Sequence, residues 1–172
     1  RKRGPPMAWL CGIALALLVA GCGGGGGGAS SSTGGSGTST STSVVTLSGV
    51  AAHGAPLIGA TISVIDANGA SQGSTLASLV SGEYQLPLSS PSAKFPLLVQ
   101  AAGVDMAGNP LVLYTVVLSG TAGQTSVAHI TPLTNAVVAM LLGSDPRTRF
   151  ATPSSIDATT WGRLGNSAAV TA

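Results

Sequence analysis

The stretch Gly59–Leu88, GATISVIDANGASQGSTLASLVSGEYQLPL, decides the fold. Ile62 and Val64 alternate with Thr61 and Ser63, the period of two that buries one face of a β-strand and leaves the other wet. Asn68-Gly69 then predicts a tight turn. In Gly82–Leu88 the alternation returns, with Tyr84, Leu86 and Leu88 on one face and Glu83 and Gln85 on the other. Pro87 cannot donate to a ladder, so this run is an edge strand or the end of one.

The same texture continues on both sides. VVTLSGVAA, from Val44, is a short β-type run that ends near His53-Gly54. FPLLVQAAG places Leu97, Val99 and Ala101 on one face, and PLVLYTVVLSG (Pro110–Gly120) is the longest apolar run. TSVAHIT closes the set at Thr131 and places His129 on a strand. Six or seven short strands between about 44 and 131, punctuated by Gly, Pro, Asn and Ser and uninterrupted by helical periodicity, predict an all-β core folded as an antiparallel β-sandwich.

Several short motifs in this region occur in a familiar order. They are Gly49, then Pro56-Leu57-Ile58-Gly59-Ala60-Thr61-Ile62, then Asp66-Ala67-Asn68-Gly69, Thr75, and Ser81-Gly82-Glu83-Tyr84-Gln85-Leu86. Together they resemble the carboxypeptidase regulatory-like domain, a transthyretin (prealbumin)-type, Ig-like β-sandwich, over roughly residues 46–118. Ser81 stands where the family pattern has Asp. The resemblance implies a fold; it implies no single function, because this fold hosts many.

At the other end of the chain, residues 1–22 divide into three parts. Arg1-Lys2-Arg3 is a positive n-region, Ala8–Ala20 an apolar h-region of 13 residues, and Val19-Ala20-Gly21 supplies small side chains just before Cys22. That is the layout of a secretory signal. A membrane span needs about 20 apolar residues, and here polyglycine follows at once. Val19-Ala20-Gly21-Cys22 resembles the bacterial lipobox, with Val19 at the usual Leu position. The resemblance implies signal-peptidase recognition at Val19, Ala20 and Gly21, cleavage before Cys22, and a diacylglycerol thioether with N-acylation on Cys22. Gly23 after the cysteine, rather than Asp, resembles the sorting pattern for the outer membrane. Cys11 would leave with the signal and Cys22 would be consumed, so no disulfide is expected in a compartment that permits one.

Gly23–Ser43 is 21 residues of Gly, Ser and Thr with one Ala. It cannot bury apolar area, which predicts a flexible spacer with a root-mean-square reach of about 25 Å. After the strands, Thr131 can cap a helix with Pro132 at its first position, Leu133, Val137, Met140 and Leu141 form an apolar stripe, and Gly143 stops it. Asp145-Pro146 is read as a turn, and a second helix is expected from Thr152-Pro153 towards Trp161. The domain plan is therefore a lipoprotein signal peptide over 1–21, a lipidated Cys22 and linker over 22–43, a β-sandwich over 44–131 and a helical segment over 132–172. Because Met7 would discard the positive charges and AAVTA carries no stop signal, the true start is expected upstream and the helical segment is expected to be cut short.

Composition narrows the function. Charged residues are 7% of the chain and aromatics 3%, against roughly 25% charged in ordinary soluble domains. The net charge of +2 owes three of its seven basic residues to positions 1–3. From Cys22 onwards four basic residues (Lys94, Arg147, Arg149, Arg163) face five acids (Asp66, Glu83, Asp105, Asp145, Asp157), a net charge of −1 that provides no basic patch for nucleic acid. His53 and His129 have no Cys, Asp or Glu at ligand spacing, and Asp66–Gly69 lacks the further acids of a calcium loop. No Gly-x-Ser-x-Gly elbow, paired carboxylates or phosphate loop occurs. The sequence thus predicts a membrane-anchored cell-envelope lipoprotein displaying a non-catalytic β-sandwich with a structural, adhesive or protein- or glycan-binding role. It has no catalytic, metal or cofactor residues, and its only attached group is the lipid on Cys22. The alternatives are an accessory domain of an envelope enzyme whose catalytic region lies beyond residue 172, and a small-ligand carrier with a sizeable apolar pocket.

Overall fold

The computed structural model describes residues 43–166. Seven strands are followed by three short helices: β1 (Thr46–Val50), β2 (Thr61–Ile65), β3 (Ser71–Leu76), β4 (Glu83–Pro87), β5 (Leu97–Val104), β6 (Pro110–Val117), β7 (Thr125–Val127), α1 (Pro132–Leu142), α2 (Pro146–Ala151) and α3 (Ala158–Gly165). The strands form a three-stranded sheet in the order β4-β1-β7 and a four-stranded sheet in the order β3-β2-β5-β6. One hydrophobic core joins their inner faces, with Leu47, Tyr84 and Leu86 from the first sheet and Ile62, Val64, Leu97, Val99, Ala101 and Leu113 from the second. Every alternation read from the sequence in β2, β4 and β5 points inward as expected, and Pro87 ends an edge strand.

The sandwich is not wholly antiparallel. β1 pairs antiparallel with β4 but parallel with β7. The reason is topological. β6 ends at Val117, opposite Leu97, at the end of the sandwich where β1 begins, and the chain crosses there to the other sheet. Thr46 N–H donates to Gln124 O at 3.0 Å and Gly123 N–H to Val44 O at 2.9 Å, so β7 can only run alongside β1 in the same direction.

The β1–β7 ladder is interrupted once. Ala128 N–H donates to Ser48 O (2.7 Å), Ile130 N–H to Val50 O (2.9 Å) and Ala52 N–H to Ile130 O (2.9 Å). A regular parallel ladder would send Val50 N–H to Ala128 O. Instead that carbonyl turns inward over Gly49 and accepts the buried Tyr84 hydroxyl, while Val50 N–H donates to His129 Nδ1 at 3.2 Å. Gly49 sits opposite Tyr84 in the β1–β4 register. A Cβ at Gly49 would lie 2.2 Å from Ala128 O, so the arrangement requires glycine at this position. Burial raises the Tyr84 pKa, which keeps the phenol protonated as a donor. His129 consequently lies just past the end of β7 rather than on a strand.

A second core forms on the outer face of the four-stranded sheet. Ile65, Leu98 and Tyr114 meet Val138 and Leu142 of α1 and Ile156, Trp161 and Leu164 from the α3 region. Tyr114 stacks at a tilt on Phe150, with ring centroids 5.7 Å apart, and accepts a hydrogen bond from Gln100 Nε2 at 2.7 Å. Thr131 caps α1 as expected. Thr134 N–H donates to Thr131 Oγ1 (3.2 Å), Thr131 N–H donates to Thr134 Oγ1 (2.9 Å), and Gly143 closes the helix in the left-handed region at φ 63°.

The buried stripe of α1 differs from the sequence expectation. Val138 and Leu142 face the sheet, whereas Leu133 and Met140 are 75% and 81% exposed. α1 is apolar on nearly all sides, so its pattern does not select a face. The Thr134 hydroxyl, 3.0 Å from Tyr114 O on β6, does select one, turning positions 134, 138 and 142 inward. Asp145-Pro146 starts α2 rather than a turn, since Asp145 Oδ1 accepts Arg147 N–H at 2.8 Å. The expected second helix is divided into one 3₁₀ turn (Pro153–Ser155) and α3, whose cap is Asp157.

Tyr84→Phe should leave Ala128 O buried without its donor and cost about 2 kcal/mol, and Gly49→Ala should cost about 3 kcal/mol because backbone cannot move out of the way. Urea unfolding of the two variants against wild type, followed by far-ultraviolet circular dichroism, measures both.

Candidate functional site

The ladder break shapes the outer face of the three-stranded sheet. Ser48 pairs with Gln85 and Val127, and Val50 pairs with Glu83. These side chains, with His129, surround an open depression of about 520 Å³, to which Gly49 and Tyr84 also contribute. β4 brings Glu83 and Gln85 to the outside because its alternate residues, Tyr84 and Leu86, are committed to the core. His129 reaches the site because the chain past Val127 must turn the Ala128 carbonyl inward.

The depression combines hydrogen-bonding groups with apolar surface. His129 Nδ1 accepts from Val50 N–H, which places the ring proton of the neutral imidazole on Nε2, a free-standing donor on an exposed ring. Its other nitrogen is committed to the backbone and cannot serve as a base towards Ser48. Glu83 is an exposed acceptor that receives the Ser81 hydroxyl at 3.0 Å. Gln85 adds an amide and Ser48 a hydroxyl, while Val50 and Val127 supply apolar contact. This set suits a hydroxyl-rich or peptide ligand laid on a shallow surface.

Asp66 has a different role from any metal ligand. It is buried, and its oxygens accept backbone N–H groups of Asn68 and Ala70 (2.9 Å each) and Lys94 (3.3 Å) and the Gln72 side-chain amide (3.0 Å). A carboxylate surrounded by donors fastens the β2–β3 hairpin to the loop before β5; it does not face a cation. Among the described residues no group of three or more His, Cys, Asp or Glu side chains could hold a metal ion. His53 stands in the β1–β2 loop near Asp105, whose carboxyl is held below its usual range chiefly by the Asn109 side-chain amide. The two histidines therefore serve separate surfaces. Cys22, with Val19, Ala20 and Gly21, lies outside the described residues.

Sequence reasoning placed His129 on a strand without a functional role and did not connect it with these neighbours. Glu83 and Gln85 were legible as the wet face of β4, but nothing in the sequence states that β4 lies two strands away from His129. A scan against protein-family models and a search of curated proteins each find no match to the chain.

His129→Ala should remove the acceptor from Val50 N–H and cost about 1 kcal/mol. Gln85→Ala, an exposed change on the same face, should stay within about 0.5 kcal/mol of wild type. Thermal melts of both variants at neutral pH provide the comparison.

Proposed function

We propose that this protein is a lipid-anchored cell-envelope lipoprotein, sorted to the outer membrane, that displays a non-catalytic β-sandwich of the carboxypeptidase regulatory-like, transthyretin type. The observation that carries this reading is the junction Leu17–Gly28, LLVAGCGGGGGG, where an apolar run meets one cysteine and the chain passes into glycine. A single acyl chain holds a protein to a bilayer only marginally, at about 0.8 kcal/mol per buried CH₂; three chains on Cys22 make the attachment effectively permanent. A compact two-sheet module that begins at β1, directly after the Gly/Ser/Thr segment, supports the reading of that segment as a tether and the module as its cargo.

The role of the module is to bind rather than to react. Its polar sheet face around Glu83, Gln85 and His129 offers donors and acceptors for a glycan or an extended peptide of the envelope. With a net charge of −1 from Cys22 onwards, the partner is not nucleic acid.

Metabolic labelling of the producing cell with radioactive palmitate tests the anchor. The wild-type chain should carry label and sediment with membranes, and Cys22→Ser should do neither. Equal labelling or identical fractionation of the two would contradict the lipid attachment.

A further inference from the structure

Exposed apolar side chains gather at one end of the sandwich. Six of the nine large ones exposed among the described residues are Ile58, Leu76, Leu79, Val80, Val104 and Met106. They lie on or beside three connections, β1–β2, β3–β4 and β5–β6, and the strand register places all three at the end where β1 finishes. The β1–β2 connection lies against its neighbours: a Cβ on Gly59 would meet Leu79 Cδ2 at 3.0 Å, and a Cβ on Gly103, near the end of β5, would meet Ala60 Cβ at 3.0 Å. Val80 and Met106 are 87% and 89% exposed. Ile58, Leu79, Val80 and Met106 stand on turns and Leu76 and Val104 at the ends of β3 and β5, while the open depression lies beside them on the sheet face.

We infer that this loop end enters the interfacial region of a zwitterionic lipid bilayer. Three observations select a lipid surface. Firstly, the apolar groups are spread over three separate turns and the strand ends beside them, an arrangement that a deformable bilayer accommodates. Secondly, N–H groups in the β3–β4 and β5–β6 turns are already paired within the turn, which lowers the cost of leaving water. Val80 and Ser81 N–H donate to Ser78 Oγ at 3.2 Å each, and Gly82 N–H donates to Ser78 O at 3.1 Å. Ala107 and Asn109 N–H donate to Asp105 Oδ1 at 2.8 Å each, and Gly108 N–H donates to Asp105 O at 3.0 Å. Thirdly, the three connections hold no Lys or Arg; His53 and Asp105 are their ionisable side chains, so attraction to anionic headgroups is not the driving force.

The position of the preceding chain agrees. It joins β1 at the opposite end of the module, and the 21 residues Gly23–Ser43 can span at most about 70 Å, against about 26 Å for an eight-residue strand. An anchor at Cys22 therefore leaves the loop end able to reach the same bilayer.

The test removes the thiols, so that it does not depend on lipidation. The chain from residue 22 onwards, without the apolar run Ala8–Ala20 that would itself enter vesicles, carries Cys22→Ser and Val80→Cys, is labelled at position 80 with the environment-sensitive fluorophore NBD, and is mixed with phosphatidylcholine vesicles. A matched chain carries the label at Ser92→Cys, in the loop at the other end. The emission at position 80 should shift to the blue, rise severalfold and be quenched by nitroxide lipids, while position 92 stays in water. Adding Leu79→Ser and Met106→Ser should lower the bound fraction about tenfold. A water-like signal at position 80 with vesicles present, an equal response at both positions, or a concentration-dependent response at position 80 without vesicles, which would assign the patch to a second copy of the chain, would each overturn the inference.

Discussion

The arrangement of the three-stranded sheet depends on one backbone carbonyl. Ala128 O leaves its place in the β1–β7 ladder and turns into the core, and three residues adjust to that single displacement. Gly49 lacks the Cβ that would occupy its position; Tyr84 spans β1 from the neighbouring strand to donate to it; and His129 fills the hydrogen bond that Val50 N–H would otherwise lose. Buried backbone polar groups must be paired, so no one of these residues can change without a consequence for the others. The three strands are thereby tied across their width by a side chain, which offsets the shortness of β7.

The same displacement positions the helices. Past His129 the ladder resumes at Ile130, Thr131 begins the capping of α1, and Thr134 sets the helix against Tyr114 O on β6. The helices then cover part of the outer face of the four-stranded sheet, where Ile65, Leu98 and Tyr114 are buried, while Thr61, Ser74 and Leu76 stay exposed. The outer face of the three-stranded sheet carries the depression around Glu83, Gln85 and His129. Among the described residues the module thus presents a mixed surface on that sheet and exposed apolar side chains at one end.

Much of this was legible from local pattern. Ile62 and Val64, and Tyr84, Leu86 and Leu88, alternate with more exposed neighbours, Leu97, Val99 and Ala101 share one face of β5, and period two maps directly onto an inner face. Thr131-Pro132 and Gly143 marked the ends of α1 because caps are local chemistry. What failed was non-local. The direction of β7 follows from where β6 ends in another sheet. The buried face of α1 follows from a hydroxyl meeting a carbonyl 20 residues away. The run Leu97-Leu98-Val99 already held the second core in outline, since consecutive apolar residues in a strand imply burial on both faces. The candidate site was visible only in Glu83 and Gln85, on the wet side of a predicted strand; the register that brings them beside Ser48 and Val127 was not. The anchor is read from residues 1–28, which lie outside the described residues 43–166.

The displaced carbonyl can be observed directly by nuclear magnetic resonance of the ¹⁵N,¹³C-labelled protein with its imidazoles neutral. A through-hydrogen-bond ¹⁵N–¹⁵N coupling should connect the Val50 amide nitrogen to His129 Nδ1. A coupling from the Val50 amide to the Ala128 carbonyl carbon in its place would show a regular ladder, and would contradict the account of the sheet, of Gly49 and of the site built around them.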